Sequence, residues 1–175
     1  MTTFDAITKR SSTRGYTPEK LTKEELNKIL EAGLKAPTAT NRQEIHFSVL
    51  DGENPVLKEL DLEKNRLRNI TDAPHNFYYE APTVVFLSGE EAFKWSALDA
   101  GIAVENMALA AEELGLGNLI IGCVYDALRG ERKAEFSKKL GFPEGYEFEI
   151  AIALGHKAVN KEPHATDAEK HITVI

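Results

Sequence analysis

The chain has 175 residues, enough for one domain, 1–175, with a real hydrophobic core. Its composition is that of an ordinary globular protein, 42% hydrophobic and 28% charged, and its net charge of −7 argues against a nucleic-acid partner while leaving room for a small anion held by a local basic cluster. One cysteine, Cys123, excludes an internal disulfide framework, Met1–Ser12 lacks the apolar core of a signal peptide, and no apolar run approaches the ~20 residues of a membrane span, so a cytoplasmic chain without a membrane partner is expected.

The first element is a short helix from Thr3 to Arg10, capped by Thr2 or Thr3, with Phe4 and Ile7 on one face. Arg10-Ser11-Ser12-Thr13-Arg14-Gly15-Tyr16 follows, with two arginines and three hydroxyls within five residues. Such a run by itself fits a solvated turn first, and as a sharper alternative an oxyanion site, where guanidinium forks and hydroxyls share the oxygens. Thr22-Lys23-Glu24-Glu25 is a capping box opening a helix that runs through Leu34 and stops near Pro37. Ala36 to Gln43 is a loop of small polar residues without periodicity, the kind of segment that carries function. Ile45–Leu50 reads as a strand with Phe47 and Val49 on one face, and Asp51–Pro55 as a turn. Residues 56–75 fit either an exposed helix or a loop, whereas Thr83–Ser88 is a buried strand.

The central stretch, from Trp95 to Tyr125, begins as a helix that is apolar on nearly every side, which predicts burial on nearly every side. Asp99 and Asn106 share one stripe of it, Glu105 and Glu112 another, and Gly115 ends it. Leu119 to Tyr125 reads as a buried strand interrupted by Gly122, and such a glycine often marks close approach to a ligand. A helix from about Asp126 to Leu140 closes on Gly141, and Tyr146–Leu154 alternates as a strand. The tail ends in Ile172-Thr173-Val174-Ile175, which is β-prone and predicted to add to a sheet edge of this chain or of a second copy.

The five histidines are scattered, so no metal site is expected, and there is no G-x-S-x-G elbow or P-loop. Gly115, Gly117 and Gly122 follow a helix and precede a strand, the reverse of a dinucleotide fingerprint. With no acid, base or nucleophile set among the side chains, any chemistry belongs to a bound cofactor.

Four segments, in order, resemble the FMN-dependent nitroreductase family. They are Arg10–Tyr16 (R-x-S-x-R-x-[FY]), Ala36–Gln43 (A-P-S-x-x-N-x-Q), Asp99–Asn106 running into Gly115-Leu116-Gly117, and Ile152–His156. The resemblance implies an α+β, three-layer fold with a mostly antiparallel central sheet flanked by helices. It further implies a domain-swapped homodimer with FMN between the subunits. NADH or NADPH would deliver hydride to the flavin, and an electron-poor small molecule, a nitroaromatic or a quinone, would take it in a ping-pong cycle.

By the same resemblance, Arg10, Ser11 and Ser12 hold the FMN phosphate and ribityl chain, and Arg14 lies near the pyrimidine edge, where a cation meets the charge of the reduced ring. Pro37, Thr38 and Ala39 come from the partner, while Asn41 and Gln43 contact ring and ribityl. Ile121, Gly122 and Cys123 lie against the ring, with a backbone N–H at Gly122 near N5; no side chain is catalytic, and Cys123 is a packed thiol. Asn65 and Arg68 supply the flavin edge, and Lys161 and His164 the tail contact to phosphate. The pattern departs at Glu44-Ile45, where the family has proline and tryptophan. That departure leaves room for a specialised flavoenzyme on the same scaffold, or for a flavin-binding dimer without turnover.

Overall fold

The computed structural model describes residues 1–175, the side chain of Ala168 excepted. A four-stranded sheet in the order β1-β2-β4-β3 lies between two helical layers. Its strands are β1 (His46–Asp51), β2 (Thr83–Glu90), β3 (Gly117–Ile121) and β4 (Tyr146–Gly155), all antiparallel to their neighbours. β2 is central and buried on both faces, so it reads as a continuous apolar run. Val84 and Phe86 point into one core, with Leu57 and Leu60 of α3 (Pro55–Leu67), Leu128 of α5 (Tyr125–Arg129) and Phe136 of α6 (Lys133–Leu140). Val85 and Leu87 point into the other, with Ile29 of α2 (Lys23–Leu34) and Val104, Met107 and Ala108 of α4 (Ser96–Glu113).

The capping box at Thr22 is present in full: its hydroxyl accepts from Glu25 N–H, and the Glu25 carboxylate accepts from Thr22 N–H at 2.8 Å. Thr2 and Asp5 make a second one at the start of α1 (Thr3–Lys9). The two stripes of α4 each hold a neighbour. Asp99 Oδ2 accepts from Ala39 N–H at 2.9 Å, and Asn106 Nδ2 donates to the Ala32 carbonyl at 3.2 Å. Glu112 is buried and ion-paired with Lys157 at 2.8 Å, and Glu105 lies 3.8 Å from Arg10.

Several expectations are corrected. α4 is buried on all but one stripe, where Trp95, Leu98 (56% exposed) and Gly101 face outward, because nothing in this chain covers them. Phe4 and Ile7 likewise face out, and Ala6 is the buried residue of α1. β3 begins at Gly117 and ends at Ile121, so Gly122 follows the strand instead of interrupting it, and Tyr125 already opens α5. The helix expected over 126–140 is two, broken at Gly130, where a Cβ would sit 2.7 Å from the Asp126 carbonyl. Val49 is exposed, and Ser48 and Leu50 are the buried residues of β1. Residues 55–67 form α3, capped by Asn54. Ile172–Ile175 pairs with no strand of its own chain and is exposed, after the short helix α7 (Ala168–His171). No helix among the described residues is long and apolar enough to cross a membrane.

Candidate functional site

The predicted residues fall into three groups. The first is built where the Arg10–Tyr16 segment runs beside the start of β3. Thr13 N–H donates to the Asn118 carbonyl at 2.8 Å, Ser12 bridges Asn118 in parallel, and Tyr16 bridges Lys157. Gly117 is required here, since a Cβ would lie 2.8 Å from the Thr13 methyl. Asn118 is fully buried and anchors the strand to Ala108 O, with its Oδ1 left without a partner. The segment thereby brings Ser11 to the tail, its hydroxyl donating to the Lys161 carbonyl at 2.8 Å. Ser11, Thr13, Lys157 and Lys161 line a polar cavity of about 220 Å³. Arg10 is the C-cap of α1, between Lys9 and Ser11 of the cavity wall, and is not itself among the lining residues. His164 does not join this cavity; it lines a separate groove within the tail.

The second group surrounds the end of β3. Ile121 is buried as the last strand residue, and Gly122 is exposed. A Cβ at Gly122 would meet only Ile150 Cδ1, at 3.7 Å, an ordinary contact, so the fold itself does not demand glycine there. Cys123 packs against the core, and burial pushes its thiol up while Lys64 and Arg68 pull it down. Of the two expected edge residues, Asn65 is half-buried with its amide on Asp61 and its carbonyl oxygen unpartnered. Arg68 ends α3, exposed, 3.7 Å from Asp126. Arg14 is exposed, with its guanidinium 5.9 Å from the Tyr79 ring.

Sequence reasoning missed Lys64. It is buried, paired with Asp61 at 2.9 Å, and acts on Cys123 ahead of Arg68. The signal was the spacing Leu57, Leu60, Lys64, which puts the lysine on the buried stripe of α3 in an otherwise polar segment.

The third group is the loop before β1. Ala39–Asn41 forms a single 3₁₀ turn, and Thr40, Asn41 and Gln43 all take positive φ, an uncommon cluster for residues other than glycine. The Gln43 N–H donates to Thr38 Oγ1 at 2.9 Å, and the Gln43 amide donates to Asn41 at 3.0 Å. Arg42 pairs with Glu90 and covers the Phe93 ring. Pro37, Thr38 and Ala39 line an apolar groove of about 330 Å³ with Trp95, Leu98, Asp99 and Ile102.

The third group does not meet the other two within the chain. Ile121 pairs with Ala151, Ala151 with Phe86, and Phe86 with Ser48. The loop therefore leads into one edge of the sheet and Gly122 leaves the other, three strand spacings or roughly 14 Å away. Among the described residues no hydrogen bond or ion pair joins residues 37–43 to Arg10–Arg14, Lys64–Arg68 or Gly122.

The Nitroreductase family model matches residues 7–156. The chain is 30% identical over 172 residues to FMN reductase (NAD(P)H) of Bacillus subtilis, a match covering 87% of this chain and 65% of that one. It therefore spans just under two thirds of that relative's length. It is 29% identical over 169 residues to NADPH-flavin oxidoreductase of Vibrio harveyi, covering 91% of this chain and 68% of the relative. Among solved structures, a nitroreductase with bound FMN from Desulfitobacterium hafniense superposes with a TM-score of 0.88 at 31% identity, covering 99% of this chain and 97% of the other. One with bound FMN from Bacteroides fragilis gives 0.88 at 29% identity, covering 99% and 98%. The α+β sheet between helical layers is thus the family's fold, and with a match over 7–156 and these likenesses along nearly the whole length, the chain belongs to the Nitroreductase family.

Proposed function

We propose that this protein is a homodimeric FMN-dependent oxidoreductase that takes hydride from NADH or NADPH and reduces an electron-poor acceptor, a nitroaromatic or a quinone. The observation that carries it is Gly122: an exposed glycine at the end of a buried strand, with room for a Cβ inside the fold, followed by Cys123, whose thiol feels the buried Lys64. What favours glycine there lies outside the chain, as a planar ring laid against the backbone would. The relatives named FMN reductase and NADPH-flavin oxidoreductase, and the FMN-bound neighbours, support the same cofactor.

FMN, when bound, supplies the hydride-accepting and hydride-donating chemistry. The chain's own residues bind and orient it. Arg10, Ser11 and Ser12 are the phosphate and ribityl ligands, with Ser11 and Lys161 in the walls of the polar cavity; of the two tail candidates Lys161 is the phosphate contact, since His164 lines a separate groove. The Gly122 backbone faces the ring beyond Ile121. Lys64, held by Asp61, acts on the Cys123 thiol next to Gly122 with little exposure to water, and with Asn65, Arg14 and Arg68 it makes up the pyrimidine edge. Lys64 is shielded from water but partly offset by Asp61, and Arg68 is exposed, so the two cations together oppose charge on the reduced ring.

Pro37, Thr38, Ala39, Asn41 and Gln43 come from the second subunit, because their own chain holds them at the far edge of the sheet. The outward stripe of Trp95, Leu98 and Ile102, together with Phe4 and Ile7, supplies apolar surface for that dimer, with the β-prone tail as the exchanged arm. The test is the absorbance spectrum of the purified protein before and after NADH, without oxygen. A flavin band that bleaches is expected; a protein that takes up no FMN would overturn the reading. A band that persists would leave a flavin-binding dimer without turnover.

A further inference from the structure

Glu44 stands where the resemblance expects proline, and it is only 5% exposed. Neither carboxylate oxygen has a hydrogen-bond partner among the described residues. Its carboxyl reaches that of Asp99, which is 2% exposed and already accepts from Ala39 N–H. The other groups facing it are Glu90 from β2, Tyr146 and Glu149 from β4, and Arg42 from its own loop. Arg42 is engaged by Glu90 and the Phe93 ring. Two buried carboxyls in contact do not both ionise, and a buried carboxylate without a donor is costly. Asp99 Oδ2 already accepts from the Ala39 N–H, whereas burial and Asp99 outweigh the help that Glu44's own backbone N–H gives its charged form, so the proton is assigned to Glu44.

We propose that Glu44 is a positioning residue: its carboxylic O–H donates to Asp99, and this bond, with the one from Ala39, fixes loop 37–43 in the conformation it presents to the flavin. That last clause rests on the function proposed above. The loop needs such a brace, because positive φ at Thr40, Asn41 and Gln43 is strain that persists only when the surroundings over-determine it. Burial and the neighbouring Asp99 charge hold the Glu44 carboxyl above the usual range, so the braced loop binds a proton that a released loop gives up. The brace is complete below the ordinary glutamate pKa and weakens as pH rises from there toward the raised value.

Three readouts test this, with Glu44→Gln keeping a donor that does not titrate and Asp99→Asn removing the paired charge. Infrared difference spectra of wild type against E44Q, taken from below the ordinary glutamate pKa upward, should show the C=O stretch of a protonated carboxylic acid that persists above that pKa and then fades; its absence throughout overturns the proposal. FMN affinity should fall with rising pH in the wild type by up to about tenfold per pH unit relative to E44Q and D99N. The phosphate's own ionisation affects all three alike, so a constant ratio between wild type and E44Q overturns the positioning role. Trp95, the sole tryptophan, lines the loop's groove and reports without FMN. Its emission should titrate in the wild type and not in E44Q, and equal titration, or none, in both overturns the brace. A protein that took up no FMN would sink the proposed function, while the infrared and fluorescence readouts would still decide Glu44.

Discussion

Arg10, Gly122 and Cys123 each carry a distinct expectation. Arg10 caps α1, and its one ion-pair contact, with Glu105, is long at 3.8 Å. Arg10→Ala should weaken FMN binding by about 1.5–3 kcal/mol, the range for a hydrogen bond to a charged group. A fluorescence titration with FMN measures it, and unchanged affinity would remove Arg10 from the phosphate site. Gly122→Val should separate folding from function. Its first added carbon meets only Ile150 at 3.7 Å, so thermal stability should hold, while NADH-driven bleaching of the flavin should slow about 100-fold, as for a misplacement of ~1 Å at the reacting atoms. Parallel loss of stability and rate would make the glycine structural. Burial pushes the Cys123 thiol up, which keeps it protonated at neutral pH and slow to alkylate. Cys123→Ala should therefore retain NADH-driven flavin reduction, and a loss of turnover with FMN still bound would give the thiol a role.

At the scale of the element, α2 owes its start to a reciprocal pair, Thr22 with Glu25. Thr22→Ala should cost about 1 kcal/mol, and lower the melting temperature by about 2–4 °C, as read by thermal unfolding followed by circular dichroism. No shift would mean that α2 is held by its packing and by Asn106 without its cap, Gly33 lying so close to Met107 and Phe47 that a Cβ would meet them at 2.8 and 2.9 Å. α4 has the wider task. Asp99 and Asn106 tie it to the loop and to α2, and Glu105 and Glu112 tie it to Arg10 and Lys157. One helix therefore carries the groups that set both the basic segment and the small-residue loop, although the two sit at different edges of the sheet.

For the whole molecule, the separation of those two groups is the argument for a second chain. The exposed stripe of α4, centred on Leu98, adjoins the groove of the 37–39 loop. Leu98→Asp should leave the fold intact, since the side chain touches solvent in the single chain, but should shift the protein to monomer in light scattering and release its flavin. A dimer unchanged by this substitution would move the interface elsewhere, and a monomeric wild type with bound FMN would end the two-chain site.

The sequence by itself determined most of the elements, because periodicity, caps and the all-apolar β2 are local signals, while the layered fold came with the family resemblance. It also determined the family, through Arg10–Tyr16, Ala36–Gln43, the Asp99–Asn106 helix and the Ile152–His156 strand end. Only the tertiary structure decided how these segments meet. The strand order places residues 37–43 and Gly122 at opposite edges, something pairing across non-consecutive strands sets and no local pattern reports. It turned one stripe of an all-round apolar helix outward, since burial depends on a partner surface as well as on the helix's own residues. It also buried Lys64, in a stretch that read as an exposed helix or loop, and Glu44, which the sequence showed only as a departure from the family pattern. A charge's exposure is fixed by what packs over it, Asp61 in one case and Asp99 in the other, and that packing comes from residues distant in sequence or on another face.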